Sequence, residues 1–222
     1  MDTRQSKPAA PPPGRRAAGE DPAKREQILD GAKRTFMEQG FEAASMNDIT
    51  RAAGVSKGTI YVYFENKEDL FGAMIERERA RITETVGNTL DASRPVAESL
   101  TAFGTLFATH LTADTTIRAM RMVIAANHRL PTVCSSFFSA MRINPVSVLQ
   151  AYLDRQKEAG AIVCDDTVHA AKQFIELTTV GLFKQRLFGA LQQPPARAEI
   201  ERNVASAVRV FLAAYGADRP AR

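Results

Sequence analysis

The stretch SMNDITRAAGVSKGTIYVYFENK, residues 45–67, decides the fold. Ser45 is followed three residues later by Asp48, a variant of the capping box that begins a helix. Gly54 stands where a tight turn requires a positive φ, which costs glycine little. Ser56 then caps a second short helix. The stretch predicts two short helices joined by a turn.

The second short helix carries side chains suited to contact DNA. Tyr61 and Tyr63 offer rings to thymine methyl groups and hydroxyls to phosphates. Gly58 lets the backbone approach a duplex closely. Lys67 begins the next helix, where its charge and the free backbone N–H groups both favour a phosphate. The alternative is a helical hairpin with surface tyrosines and no nucleic-acid partner.

Apolar periodicity predicts helices on both sides of this stretch. Asp21-Pro22 begins a helix that Gly40 ends, and Asn66 caps a long helix that reaches about Asp91. Further helices are expected from Pro95, over about 115–129, over about 135–159 with a kink at Pro145, over 166–189, and over 197–215. No segment alternates as a strand, so the predicted fold class is all-α.

Composition permits a nucleic-acid partner without establishing one. The net charge is +4 and the pI about 9.2. Residues 1–80, however, contain 13 basic and 13 acidic residues, so a DNA-binding face must come from local arrangement. Without an apolar signal segment, a long apolar run or a disulfide framework, the chain is expected to be cytoplasmic and not membrane-bound.

Residues 52–70, AAGVSKGTIYVYFENKEDL, resemble the DNA-binding domain of the TetR family, whose pattern is similar to AAGVSKGTxYxYFxxKExL. Thr50 departs from the family, which usually has alanine there. The resemblance implies base contacts by Asn47, Lys57, Gly58 and Thr59. It implies phosphate contacts by Ser45, Tyr61, Tyr63 and Lys67.

The C-terminal half more faintly resembles the AefR-like subgroup, on RAMRMVIA at residues 118–125, Leu130-Pro131 and Phe137. Residues 1–20 are rich in proline and contain hardly any large apolar side chain, so their composition predicts a disordered tail (1–20). By the TetR resemblance, a helix-turn-helix DNA-binding domain (21–66) follows it. A long helix joins this domain to a larger ligand-binding and dimerisation domain (67–218). The implied function is a dimeric repressor that a small apolar or amphipathic effector releases from a palindromic operator. Family members commonly control efflux or stress genes.

The family resemblance also places an effector cavity among the C-terminal helices. The expected lining is Phe103, Phe107, His110, Met120, Ile124, Asn127, Phe138, Met141, Tyr152, Phe174 and Thr178. For each of these residues alone, ordinary core packing is the simpler interpretation.

Apolar stripes on the last two predicted helices are expected to form a four-helix dimer interface. The predicted contacts are Ile175, Leu182, Phe183, Val204, Val208 and Phe211. The alternative is that both stripes face the core of their own domain.

Other classes of protein find little support. The histidines are scattered, and no catalytic motif, metal-binding spacing or phosphate-binding glycine loop is present. We therefore expect no catalytic residues, no metal and no cofactor. An enzyme or helical interaction protein that retained the hairpin is the alternative. Whether Cys134 or Cys164 senses redox state is left open.

Overall fold

The computed structural model describes residues 21–127 and 144–217, and over these ranges the protein is helical, as predicted. The helices are α1 (Pro22–Ala43), α2 (Met46–Ala53), α3 (Lys57–Tyr63), α4 (Lys67–Gly87), α5 (Val96–Thr112), α6 (Asp114–Ala126), α7 (Pro145–Glu158), α8 (Thr167–Thr178), α9 (Phe183–Phe188) and α10 (Arg197–Tyr215). The predicted tail at 1–20 lies outside the described residues.

The local signals around the turn are confirmed. Ser45 and Asp48 form both hydrogen bonds of a capping box at the start of α2. Gly54 ends α2 in the left-handed region, with φ of +64°. Ser56 caps α3 by accepting a hydrogen bond from the backbone of Thr59. Helices α2 and α3 therefore form the predicted helix-turn-helix.

Helix α1 packs unusually closely against α2, at Gly31. A Cβ atom built on Gly31 lies 2.6 Å from Ala53 Cβ and 2.7 Å from the Ala53 backbone nitrogen. Both distances are shorter than atoms tolerate, and the backbone nitrogen cannot move aside. Only glycine therefore permits this approach, a requirement that periodicity did not reveal.

Two hydrophobic cores organise the chain. The first joins α1–α3 to the first half of α4, and it also includes Val123 and Ala126 from α6. The second is built from α5, α7, α8, α10 and the end of α4, around Phe103, Tyr152 and Phe174. Helix α6 therefore belongs in part to the N-terminal core, although it lies far along the chain.

The predicted end at Gly40 coincides with a break in α1, where Gly40 has φ of +81°, and the helical range resumes and ends at Ala43. Three other predicted features are wrong. Helix α4 ends at Gly87, before the predicted end at Asp91, which instead accepts hydrogen bonds from Ser93 in a following turn. Pro145 begins α7 instead of kinking a longer helix, since proline needs no N–H donor at a first position.

The predicted helix over 166–189 is divided into α8 and α9. Gly181 lies between them with φ of +74°, a backbone conformation that does not continue a right-handed helix.

Candidate DNA-binding interface and effector domain

The side chains of α1 hold the turn between α2 and α3. Gln27 Nε2 donates to the Ala53 carbonyl at 2.7 Å, and an Arg34 guanidinium N–H donates to the Ala52 carbonyl. These carbonyls lie at the C-terminal end of α2, where helical partners are lacking. Together with the close contact at Gly31, the two bonds fix α2, and through it the turn, against α1.

Helix α3 presents an exposed surface on this frame. Lys57 and Gly58 are exposed, and Tyr61 is 47% exposed. Val62, which the sequence reasoning missed, is 49% exposed although its side chain is apolar. Tyr63 is less exposed than Tyr61, because one side of its ring packs against the N-terminal core; it is half-buried. The surface combines a cation, accessible backbone, a phenol and an apolar side chain.

Some predicted DNA contacts have structural tasks as well. Asn47 is exposed near the start of α2. The Ser45 hydroxyl donates to Asp48, and the Thr59 hydroxyl lies 2.7 Å from that of Ser56. Ser45 therefore caps α2, and the Thr59 hydroxyl is bonded to the Ser56 cap of α3, so a DNA contact by either hydroxyl would have to share it with the cap.

The ammonium group of Lys67 is engaged inside the protein. Its Nζ donates to the carbonyls of Phe41 (2.8 Å), Glu42 (3.3 Å) and Ala44 (3.0 Å), and it lies 4.5 Å from the centroid of the Phe41 ring. An ammonium has three donors, so all are used. The geometry does not support the predicted phosphate contact by this side chain. The backbone N–H groups at the start of α4 are separate from this ammonium.

The neutral charge of the N-terminal segment has a structural explanation. Arg77 is buried and pairs with Glu26 at 3.1 Å, Asp30 at 2.8 Å and Glu78 at 3.1 Å. These carboxylates lie on α1 and α4, whereas Asp48 is used in a helix cap. Lys57 has no such carboxylate partner among the described residues.

The predicted effector residues divide into two groups. Phe103, Phe107, Tyr152, Phe174 and Thr178 are buried together in the C-terminal core, with the rings of Phe103 and Phe107 stacked at 6.0 Å. His110 and Met120 are half-buried. Ile124 is 58% exposed and Asn127 is exposed, so the structure does not bring these two residues together with the buried group. Phe138 and Met141 lie outside the described residues.

Tyr152 is the unusual member of this core. Its hydroxyl is buried with no hydrogen-bond partner among the described residues. The neighbouring Ser99 hydroxyl instead donates to the Asp91 carbonyl at 2.8 Å. Burial raises the pKa of the Tyr152 phenol, which keeps it protonated and able to donate. An unsatisfied phenol in an apolar core costs free energy that a polar ligand atom can recover.

The predicted dimer contacts are largely internal. Val204, Val208 and Phe211 are at most 6% exposed, and the Phe211 ring lies 5.3 Å from that of Phe174. Leu182 is likewise buried, while Ile175 and Phe183 are half-buried. The interface predicted at these four buried side chains is wrong, because they form their own domain's core. The outward faces of α8 and α10 instead expose Val168 and Val210.

Cys164 is buried, and burial raises the pKa of its thiol, which disfavours the reactive thiolate. Cys134 lies outside the described residues. Within 21–127 and 144–217, no group of histidine, cysteine and acidic residues is arranged to hold a metal ion. In the same ranges no helix is long and apolar enough to span a membrane.

Comparison with known proteins first defines the class. Residues 28–74 match the family described as bacterial regulatory proteins, tetR family, and residues 98–217 match the AefR-like transcriptional repressor, C-terminal domain. The fold and the exposed α3 thus belong to a helix-turn-helix transcriptional regulator. The chain belongs to the TetR family and has an AefR-like C-terminal domain. This is a family of DNA-binding transcriptional regulators.

Individual relatives agree. The HTH-type transcriptional repressor AcnR of Corynebacterium glutamicum is 28% identical over 181 residues, which cover 78% of this chain and 88% of that protein. A TetR-family regulator from Mesorhizobium loti has a similar structure, with a TM-score of 0.78, 22% identity, and coverage of 87% of this chain and 97% of that one. The flavonoid-responsive regulator FrrA has a TM-score of 0.70, 27% identity, and coverage of 88% and 98%.

Proposed function

We propose that this protein is an effector-responsive repressor that binds a palindromic operator as a homodimer in the cytoplasm. The observation that carries the proposal is the exposed surface of α3 on a frame fixed by α1. Lys57, Gly58 and Tyr61 face outward there, while Ile60 and Phe64 anchor the helix in the core. We assign 21–66 to DNA binding and 67–218 to effector binding and dimerisation.

Recognition combines base reading with positioning. Lys57 stands at the first turn of α3, and we propose that it donates to guanine O6 and N7. Asn47, Gly58 and Thr59 complete the base-reading set, whereas Ser45, Tyr61 and Tyr63 contact phosphates. The N–H groups at the start of α4, rather than the Lys67 ammonium, supply a further phosphate contact.

Dimerisation is assigned to the outward faces of α8 and α10. Val168 is 36% exposed and Val210 is 52% exposed, and Ile175 is half-buried beside them. On α10 these apolar positions are accompanied by small exposed residues, Ala205, Ser206 and Ala213, which permit close helix packing. A two-fold mate packed on this surface forms the four-helix interface that the sequence predicted with other side chains.

The effector is proposed to enter the core around Phe103, Phe107 and Tyr152. This core is apolar and aromatic, and its unsatisfied phenol offers one directional hydrogen bond. Such a site suits a small apolar or amphipathic molecule. FrrA, named as flavonoid-responsive, supports an aromatic effector, so flavonoids are the first compounds to test. By family resemblance, the regulated genes encode efflux or stress functions.

Release from DNA follows from the connections between the cores. Helix α4 contributes to both cores, and α6 also packs against α1. An effector that separates the C-terminal helices displaces these two elements and changes the spacing of the paired α3 helices. Coupling of about 1–3 kcal/mol is typical, which lowers operator affinity about 5–150-fold.

Footprinting and titration test the DNA reading. A dimer should protect two half-sites roughly 34–36 Å apart or somewhat more. Lys57→Ala should relax preference at one base pair per half-site by about 1–3 kcal/mol. Arg155→Ala, which removes an exposed cation from α7 outside the proposed dimer surface, is the control. Protection of one half-site by a monomer contradicts the proposal.

Calorimetry tests the effector. An effector that lowers operator affinity must bind the operator complex more weakly than the free protein, by the same factor. Equal affinity for both forms, together with release of DNA, contradicts the mechanism. If no member of a broad amphipathic panel binds, the effector part of the proposal fails.

A further inference from the structure

A cavity of about 360 Å³ lies between α6 and α9, apart from the aromatic core assigned to the effector. One wall is a single face of α6, formed by residues at helical spacing. The opposite wall comes from the end of α9 and the loop after it. The lining residues are Asp114, Ile117, Arg118, Arg121, Arg186, Gly189 and Gln192.

Arg186 is the structural part of this cavity. It is 2% exposed, its Nε donates to the Thr112 carbonyl at 3.0 Å, and its Nη1 donates to the Leu191 carbonyl at 3.0 Å. Its Nη2 pairs with Asp114 at the start of α6. Because Asp114 balances its charge, Arg186 fixes the cavity wall and adds no net charge.

Arg121 is held in place without a counter-ion. Its Nε donates to the Leu187 carbonyl at 2.9 Å and its Nη2 to the Arg186 carbonyl at 2.8 Å. Both acceptors lie at the C-terminal end of α9, so the guanidinium is fixed by neutral groups. Its Nη1 makes no hydrogen bond with the described residues, which leaves donors available in a fixed orientation.

Arg118 precedes Arg121 by three residues on the same face of α6. It is exposed and makes no hydrogen bond or ion pair with any described residue. Two like charges at this spacing repel each other. With Arg186 and Asp114 balanced, the lining therefore carries two uncompensated positive charges.

We propose that this cavity binds a small organic anion through a carboxylate or phosphate group, held between Arg118 and Arg121. The planar guanidinium matches both groups because it offers two parallel N–H donors. Gln192 supplies an amide and Ile117 an apolar wall. The volume suits a small metabolite, since ligand cavities are commonly about 300–1,000 Å³.

Occupancy of this site has a consequence that rests on the proposed function. The α6 residues that line it lie between Asp114 and Arg121, whereas Val123 and Ala126, which follow them on the same helix, pack in the N-terminal core. An anion that draws α6 toward α9 therefore acts on the element that contacts α1. The site provides a second input to DNA binding.

Titration calorimetry of the full chain at low ionic strength tests the site without DNA, with inorganic phosphate and succinate as probes. Arg118→Gln removes one cation and no observed contact, so folding is retained. We expect saturable binding to the wild type, weakened about tenfold in Arg118→Gln. Arg155→Gln, a matched loss of charge outside the lining and outside the proposed dimer surface, should change affinity by less than about twofold.

Binding of phosphate alone assigns a phosphate ligand, and binding of succinate alone assigns a carboxylate. If the two variants weaken probe binding equally, only overall charge matters and the proposal is overturned. It is also overturned if neither probe binds saturably to the wild type. Operator titration with and without the bound probe then tests the coupling. Unchanged operator affinity refutes the second input but leaves the anion site standing.

Discussion

The two halves of the molecule relate sequence to function in opposite ways. Around the turn at Gly54, residues that suggest DNA binding, such as Lys57 and Tyr61, are exposed on the surface. In the C-terminal domain, residues that suggest a cavity or a dimer contact, such as Phe103 and Phe211, fill the core. Polar caps and turns act locally, whereas an apolar stripe does not reveal whether it faces its own domain or a partner.

Phe211 and Val210 test this difference most severely. Phe211→Glu places a charge at a position 1% exposed and should lower the free energy of unfolding by more than about 4 kcal/mol. Val210→Glu, 52% exposed, should give a folded monomer with weak operator affinity. Thermal unfolding and sedimentation distinguish the two. A folded monomeric Phe211→Glu protein would restore the interface first predicted at that residue.

Substitution of Lys67 tests whether its side chain contacts DNA or only stabilises the fold. Lys67→Met removes three hydrogen bonds from a charged donor and should lower the free energy of unfolding by about 1.5–3 kcal/mol. The salt dependence of DNA binding should stay the same. A slope lower by about one unit would mean that the ammonium does reach a phosphate.

Gly31 and Gly58 separate packing from recognition within the DNA-binding half. Gly31→Ala should lower stability by about 1–3 kcal/mol, because the added Cβ meets the Ala53 backbone. Gly58→Ala meets only the Ser56 hydroxyl at 3.9 Å, so its stability should be retained while DNA binding weakens. Chemical denaturation measures the first effect and operator titration the second. Equal stability of the two variants would refute the close contact.

Tyr152 gives the smallest expected effect. Tyr152→Phe removes an unsatisfied hydroxyl and should leave stability unchanged or raise it by up to about 1 kcal/mol. Tyr215→Phe is the matched control, because its hydroxyl donates to Gln173 and its loss should be destabilising. Effector affinity should fall only in Tyr152→Phe. A large loss of stability in that variant would indicate a partner for the phenol.

The sequence predicted most of the DNA-binding frame because its signals are local. Ser45 with Asp48, Gly54 and Ser56 each determine the backbone within a few residues. The need for glycine at position 31 was not predicted, because it depends on contact with Ala53, more than 20 residues away. The internal hydrogen bonds of Lys67 were not predictable for the same reason, because its three carbonyl partners belong to the end of α1.

In the C-terminal domain, the sequence predicted that the segments are helical, but it did not predict which face of each helix packs in the core. Val204, Val208 and Phe211 form a regular stripe, but periodicity cannot say that Phe174 covers it. The division between α8 and α9 depends on Gly181, which a repeating apolar pattern conceals. Arg121 and Arg186 meet only in the folded chain, so no spacing along the sequence suggests their cavity.

The packing of α6 against the N-terminal core also determines whether the domains of this protein can be exchanged with those of its relatives. Val123 and Ala126 complete the N-terminal core although more than 100 residues separate them from the start of α1. In a chimaera that joins residues 21–66 to a foreign sensor, the surface of α1 that packs against α6 would be exposed, because Val123 and Ala126 would be missing. Such grafts should succeed only when the complementary face of α6 is transplanted too.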